Sequence, residues 1–177
     1  AEDEQRPKAR SYIAAEAAHP RAHPDWRDIE TAFNATRRLI SLAEEFRRRV
    51  HVLHVTTAEE MEYLADHKDV ASVEVTPQHL TLEAPDCYER LGAFAQMNPP
   101  IREARHREGL WNAIAQGVVD VIGSDHAPHT RDEKNQTYPN TPSGMPGVQT
   151  LLPLMLNHVS EGRLSLLRLI DLLCEGP

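Results

Sequence analysis

The sequence predicts a parallel α/β fold. Segments with helical periodicity alternate with short β-branched runs along the 177 residues. The runs are brief and almost wholly apolar, as buried parallel strands are. Polar residues gather where those runs end: His54 near the end of "VHVLHV", Thr76 with Gln78 and His79 after "VASVEV", and Asp125 after "VVDVIGS".

The first strong element is "DWRDIETAFNATRRLISLAEEFRRR", with Asp25 behind Pro24 as its expected N-cap. Ile29, Ala32, Phe33, Leu39, Ile40 and Ala43 recur at helical spacing. The basic cluster "FRRRV" (Phe46 to Val50) falls at its end, where cations suit the helix dipole. "VHVLHV" (Val50 to Val55) reads as a strand. In "TTAEEMEYLADHK", Thr57 and Glu60 have the spacing of a capping box opening a helix. "VASVEVT" (Val70 to Thr76) is a second strand, closed by Pro77.

Prolines punctuate the stretch from Gln78 to Arg102, and "MNPPIR" reads as an extended loop, because each proline biases its predecessor away from helix. "EARHREGLWNAIAQG" is a helix that Gly117 stops as a C′ residue. "VVDVIGSD" is the third strand. The loop "KNQTYPNTPSGMPG" follows, and two helices close the chain, around "VQTLLPLMLNHV" and "SLLRLIDLLCE", the second with Ser165 as N-cap. There is no internal repeat and no low-complexity tract.

Composition is that of a soluble globular chain, 40% hydrophobic and 26% charged. The net charge of -8, without a basic stripe, argues against nucleic acid as a partner. No apolar run approaches the roughly 20 residues of a membrane span. Cys87 and Cys174 form no CxxC pair, so a reducing compartment, the cytoplasm, is expected. No G-x-G-x-x-G or P-loop supports nucleotide binding. The chain opens abruptly on "AEDEQR" and stops at "LLCEGP", and it reads as a piece of something larger.

Among the polar groups, His54 and His51 lie three residues apart on a strand and point to opposite faces, so only one can enter a given site. His54 is nearer the strand end. Alone it is either a metal ligand or a hydrogen-bonded cap residue. Asp125 at the mouth of a buried strand needs a partner to offset desolvation, a metal or a proton to exchange, unless it merely caps the next turn. His129 either holds an anionic substrate group or is a solvated loop residue, and His79 reads as structural. Asn98 offers a donor and an acceptor on a stiff loop. Hydrolytic zinc needs three or more N/O ligands and an open position. His54 and Asp125 supply two.

The stretch "GSDHAPHTRDEK" resembles the dihydroorotase signature of the amidohydrolase superfamily. "HVLHVTT", "TPQHL", "MNPPIR" and "PSGMPGVQTLLPLML" match further family motifs in order, from about Val50 to Gly162. The resemblance implies a (β/α)8 TIM barrel of the metal-dependent amidohydrolase type, with one or two zinc ions at the C-terminal face of the strands. It makes His54 a zinc ligand and Asp125 both ligand and general acid/base. Asn98 and His129 become substrate contacts, joined by the backbone at Ser143 and Gly144.

The family's first-strand H-x-H pair, the arginine after it and its bridging lysine or aspartate have no counterpart here. The "AED" at the start matches the end of a family H-A/C-E-D motif whose histidine would precede Ala1. Residues 1–177 are therefore expected to be the C-terminal portion of a single barrel domain, about strands six to eight with their helices. The implied reaction is reversible hydrolysis of dihydroorotate to N-carbamoyl-aspartate in pyrimidine biosynthesis. The alternatives are a related cyclic amidase (allantoinase or dihydropyrimidinase) or a non-catalytic structural partner. Half a barrel exposes strand edges, so a homo-dimer or the remaining half is expected to cover them.

Overall fold

The computed structural model describes residues 2–177. Two short helices, α1 (Gln5–Ala9) and α2 (Ser11–Ala17), lead into the single turn α3 (His23–Trp26) and the long helix α4 (Ile29–Phe46). There follow β1 (Val50–Val52), α5 (Ala58–Ala65), β2 (Ala71–Val75), α6 (Pro77–Thr81), α7 (Asp86–Leu91), α8 (Ala104–Ala115) and β3 (Val121–Ile122). The chain ends with the turn α9 (Arg131–Lys134), α10 (Leu151–Ser160) and α11 (Leu166–Ile170), which widens into a π-helical turn over Asp171–Glu175.

The three strands form one parallel sheet in the order β1-β2-β3, with Val52 opposite Val73 and Val75 opposite Ile122. One face, carrying Val52, Val73, Val75 and Ile122, packs with Leu64 of α5, Leu110 and Ile114 of α8, Met155 of α10 and Leu169 of α11 into the main core. The opposite face carries His51, Ser72 and Glu74, of which His51 is exposed and the others half-buried. Parallel sheets are ordinarily covered on both faces, so this sheet has the form of one segment of a larger closed wall. A second apolar cluster, Cys87, Tyr88, Ala95, Met97 and Ile101, lies under the loop that carries Asn98.

Several local expectations are revised. The cap of α4 is Asp28, whose carboxylate accepts the Thr31 N–H at 3.0 Å, because Asp25 is taken up in α3. Arg47 terminates α4 in the left-handed region, so the arginines lie just past the helix rather than in its last turn. Thr57 does cap α5, but Glu60 turns inward and accepts hydroxyls from Thr57 at 2.9 Å and Thr36 at 2.7 Å, leaving the reciprocal half of the box unmade. Two helices, α6 and α7, interrupt the region between Gln78 and Arg102, the first capped by Thr76 with Pro77 at its first position.

The strands are also shorter than their apolar runs. β1 stops at Val52, and Val55 rejoins the sheet through one bond from its N–H to the Glu74 carbonyl at 2.8 Å. β3 is reduced to two residues because the Asp120 carboxylate, bonded to Lys68, takes the Val73 N–H at 2.7 Å in place of a backbone carbonyl. Gly117, at φ 79°, ends α8 as expected.

Candidate active site

His54 and Asp125 leave the C-terminal ends of β1 and β3. Both are in the left-handed backbone region, at φ 39° and 43°, which turns each side chain out of the strand direction. Glu74, on the strand between them, links their supports. Its Oε1 accepts the His54 N–H at 3.3 Å, and its carboxyl lies against Gly123, where a Cβ would sit 2.6 Å away.

His54 Nδ1 is buried without a hydrogen-bond partner among the described residues. Burial lowers the pKa of this imidazole, while the nearby Asp125 carboxylate pulls the other way. A neutral imidazole is the form that binds metal. An imidazole and a carboxylate fit zinc in kind. They do not fit it in number, for no group of three or more His, Cys, Asp or Glu able to hold a metal occurs among the described residues.

The other four expected site residues converge on the loops beyond the sheet. His129 Nε2 donates to the Ser143 carbonyl at 3.1 Å. Gly144 approaches so closely that a Cβ there would lie 2.5 Å from the Ala127 carbonyl oxygen and 3.0 Å from His129 Nε2. Its N–H donates to the Gln96 carbonyl at 2.9 Å, which brings this loop to within two residues of Asn98. The Asp125–His129 loop and the glycine loop also pair directly, through Ala127 N–H to Met145 O at 3.0 Å and Gly147 N–H to His126 Nδ1 at 3.0 Å.

Two buried histidines hold the Asn98 loop. His23 Nε2 donates to Asn98 Oδ1 at 2.8 Å, and its Nδ1 lies 3.4 Å from the Tyr138 hydroxyl. His79 bonds the Thr76 hydroxyl at 2.7 Å and donates from Nε2 to the Pro99 carbonyl at 3.0 Å. Burial drives the pKa of His23 down to about 4 and that of His79 to about 3. His79 is thus structural, as its sequence context suggests. His23, Gln96, Glu74 and Lys134 are contributors that the sequence does not announce. The proline-flanked "AHPDW" gives no hint that its histidine meets a residue 75 positions later.

Known proteins decide what this arrangement belongs to. No family model matches the chain. A dihydroorotase from Halobacterium salinarum is 39% identical over 152 residues, 86% of this chain and 35% of that protein. One from Methanosarcina acetivorans is 40% identical over 153 residues, 81% of this chain and 32% of that protein. The chain is a relative of the dihydroorotases.

It spans about a third of the length of these curated dihydroorotases. In structure it superposes over its whole length on the L-hydantoinase (dihydropyrimidinase) of Arthrobacter aurescens, with a TM-score of 0.92 and 32% identity, covering 41% of that chain. An inactive dihydroorotase-like domain of a Chaetomium thermophilum multifunctional protein, at 22% identity and a TM-score of 0.61, shares the fold. This dihydroorotase relative therefore has the architecture of the C-terminal part of an amidohydrolase barrel. No helix among the described residues is long and apolar enough to cross a membrane.

Proposed function

We propose that residues 1–177 form the C-terminal portion of a dihydroorotase barrel, which hydrolyses the cyclic amide of dihydroorotate reversibly to N-carbamoyl-aspartate in pyrimidine biosynthesis. The observation that carries this reading is the placing of His54 and Asp125 at the ends of the two outer strands, close enough for the Asp125 carboxylate to act on the imidazole, in a chain about 40% identical to dihydroorotases. His54 and Asp125 would hold zinc, together with ligands from the rest of the barrel. When bound, zinc supplies Lewis acidity toward water and the amide carbonyl.

The chain's own residues do the rest. Asp125 takes the proton from the attacking water and returns it to the departing ring nitrogen, a transfer typically worth roughly 10²–10⁴-fold. Asn98 presents its amide NH2, since its oxygen is occupied by His23. The Ser143–Gly144 backbone and His129 flank the same space, with His129 Nε2 committed to the Ser143 carbonyl and its Nδ1 4.0 Å from Glu133 Oε2. These groups suit the carboxylate and imide edge of the substrate. We place the protein in the cytoplasm, in keeping with its two free cysteines, and read it as a homo-oligomer, a dimer, in which a second copy or the rest of the barrel covers the open strand edges.

Likeness to the Arthrobacter hydantoinase supports a second reading, a related cyclic amidase such as an allantoinase or dihydropyrimidinase. The complete barrel, assayed on dihydroorotate, allantoin and dihydrouracil side by side, separates the two. Turnover of dihydroorotate in preference to the others is expected. Preference for either other substrate overturns the first reading, and no turnover of any points to a non-catalytic partner.

A further inference from the structure

The stretch that presents Asp125 and His129 continues into a feature with no place in the chemistry above. Thr130 opens α9 with a reciprocal capping box, its hydroxyl and Glu133 satisfying each other's backbone. This single capped turn ends on Lys134, which is only 4% exposed. Its Nζ donates to the carbonyls of Ala93 at 3.1 Å, Gln96 at 3.0 Å and Pro142 at 3.0 Å. An ammonium has three N–H donors, and the three carbonyls use them all.

Among the described residues no carboxylate forms an ion pair with Lys134, and burial lowers its pKa to about 8. A buried charge without a counter-ion is destabilising, and an apolar side chain of similar length would fill the same space without that penalty. What the ammonium adds is geometry. Ala93 and Gln96 belong to the segment leading into Asn98, and Pro142 immediately precedes Ser143 and Gly144. Lys134 fixes both loops to one point, and it does so from the turn that follows His129.

We infer that Lys134 is a positioning residue that sets the spacing of Asn98, His129 and the Ser143–Gly144 backbone, and so the grip on substrate. This rests on the reading of those residues as substrate contacts. Gln96 reinforces the same junction: its side-chain amide donates to Thr141 O at 2.8 Å and Ser143 Oγ at 3.1 Å, while its carbonyl accepts Gly144 N–H as well as Lys134. The two loops are therefore tied directly to each other and jointly to a third element.

The test has two arms. In the complete barrel, Lys134→Met should speed amide hydrogen exchange in segments 93–98 and 141–145 together, with β1 and β2 unchanged. In the complete barrel, it should raise KM for dihydroorotate about tenfold, as expected for contacts loosened by roughly one hydrogen bond, with kcat within about twofold. Combined with Asn98→Ala, it should add far less than that factor, because both changes act on one contact.

Unchanged exchange in either loop, an unchanged KM, or a full independent effect in the Asn98→Ala background overturns the assignment. Should Lys134→Met fail to fold, Lys134→Gln, which keeps an amide donor, is carried through both arms, where the same results support or overturn the role. If the wild-type barrel does not turn over dihydroorotate, the proposed function falls, and loop exchange alone then decides the role of Lys134.

Discussion

His23 donates from Nε2 to Asn98 Oδ1 at 2.8 Å, and this one bond decides which way the asparagine amide faces. With the oxygen held, the NH2 end is the part of the amide left for substrate in the proposed reading. His23→Phe keeps an aromatic ring beside Tyr138 and Trp26, which pack edge-on against the imidazole at centroid distances of 5.9 and 5.6 Å, but releases the amide. In the complete barrel KM for dihydroorotate should rise about tenfold, the value of one such bond, with kcat little altered. An unchanged KM would mean that the backbone alone orients Asn98.

Acid should weaken the same region. His23 and His79 are neutral in the folded chain, with pKa values of about 4 and about 3 against an ordinary 6.5, and burial is the first cause of both shifts. Between those values and 6.5 the unfolded chain binds more protons than the folded one. Stability is therefore full above pH 6.5 and falls as pH drops through that window. Urea denaturation should show a loss of about 1–2 kcal/mol per histidine from pH 7 to pH 5. A midpoint that stays put across that range would contradict neutral burial of either ring.

Gly144→Ala tests the junction of the two loops. A methyl group there meets the Ala127 carbonyl oxygen at 2.5 Å, a backbone atom with little freedom to yield, and the residue holds φ 148°, outside the usual range of L side chains. The expected cost exceeds about 1 kcal/mol of stability, with a parallel rise in KM. Gly123→Ala is a milder contrast, since its methyl would meet the Glu74 carboxyl, the far end of a side chain. Denaturation of both variants should rank them in that order.

Asp125→Asn separates proton transfer from folding. In the complete barrel it should lower turnover by about 10²-fold or more, with substrate affinity nearly kept. Near-normal turnover would remove Asp125 from the mechanism. The 177-residue chain alone should not hydrolyse dihydroorotate, because His54 and Asp125 are too few donors for hydrolytic zinc.

Much of the frame was legible because it follows local rules. Alternating apolar periods mark the parallel strands and the helices, and Thr57, Gly117 and Ser165 punctuate them where expected. What the sequence concealed depends on long-range competition. Asp120 is a strand residue by pattern, yet its carboxylate takes a neighbour's N–H and shortens β3. Asp25 has the right type and proline context for a cap, but α3 claims it and Asp28 caps instead. The motif stretch announces Asp125 and His129, whereas Lys134 looks like one more charged residue of "TRDEK" until its three carbonyl partners are seen. His23 shows the same limit, since nothing near it in the chain names Asn98.

The left-handed backbone at His54 and Asp125 has a further consequence. That conformation, which aims both side chains, costs a non-glycine residue about 1–3 kcal/mol at such sites. Replacing Asp125 by glycine removes that local strain along with the carboxylate. The resulting protein should melt at the same temperature as the parent or above it while losing its chemistry. If His54 and Asp125 carry the proposed chemistry, thermal robustness and activity pull in opposite directions at these two strand ends, and a search for sturdier variants would drift toward inert ones unless both positions were held fixed.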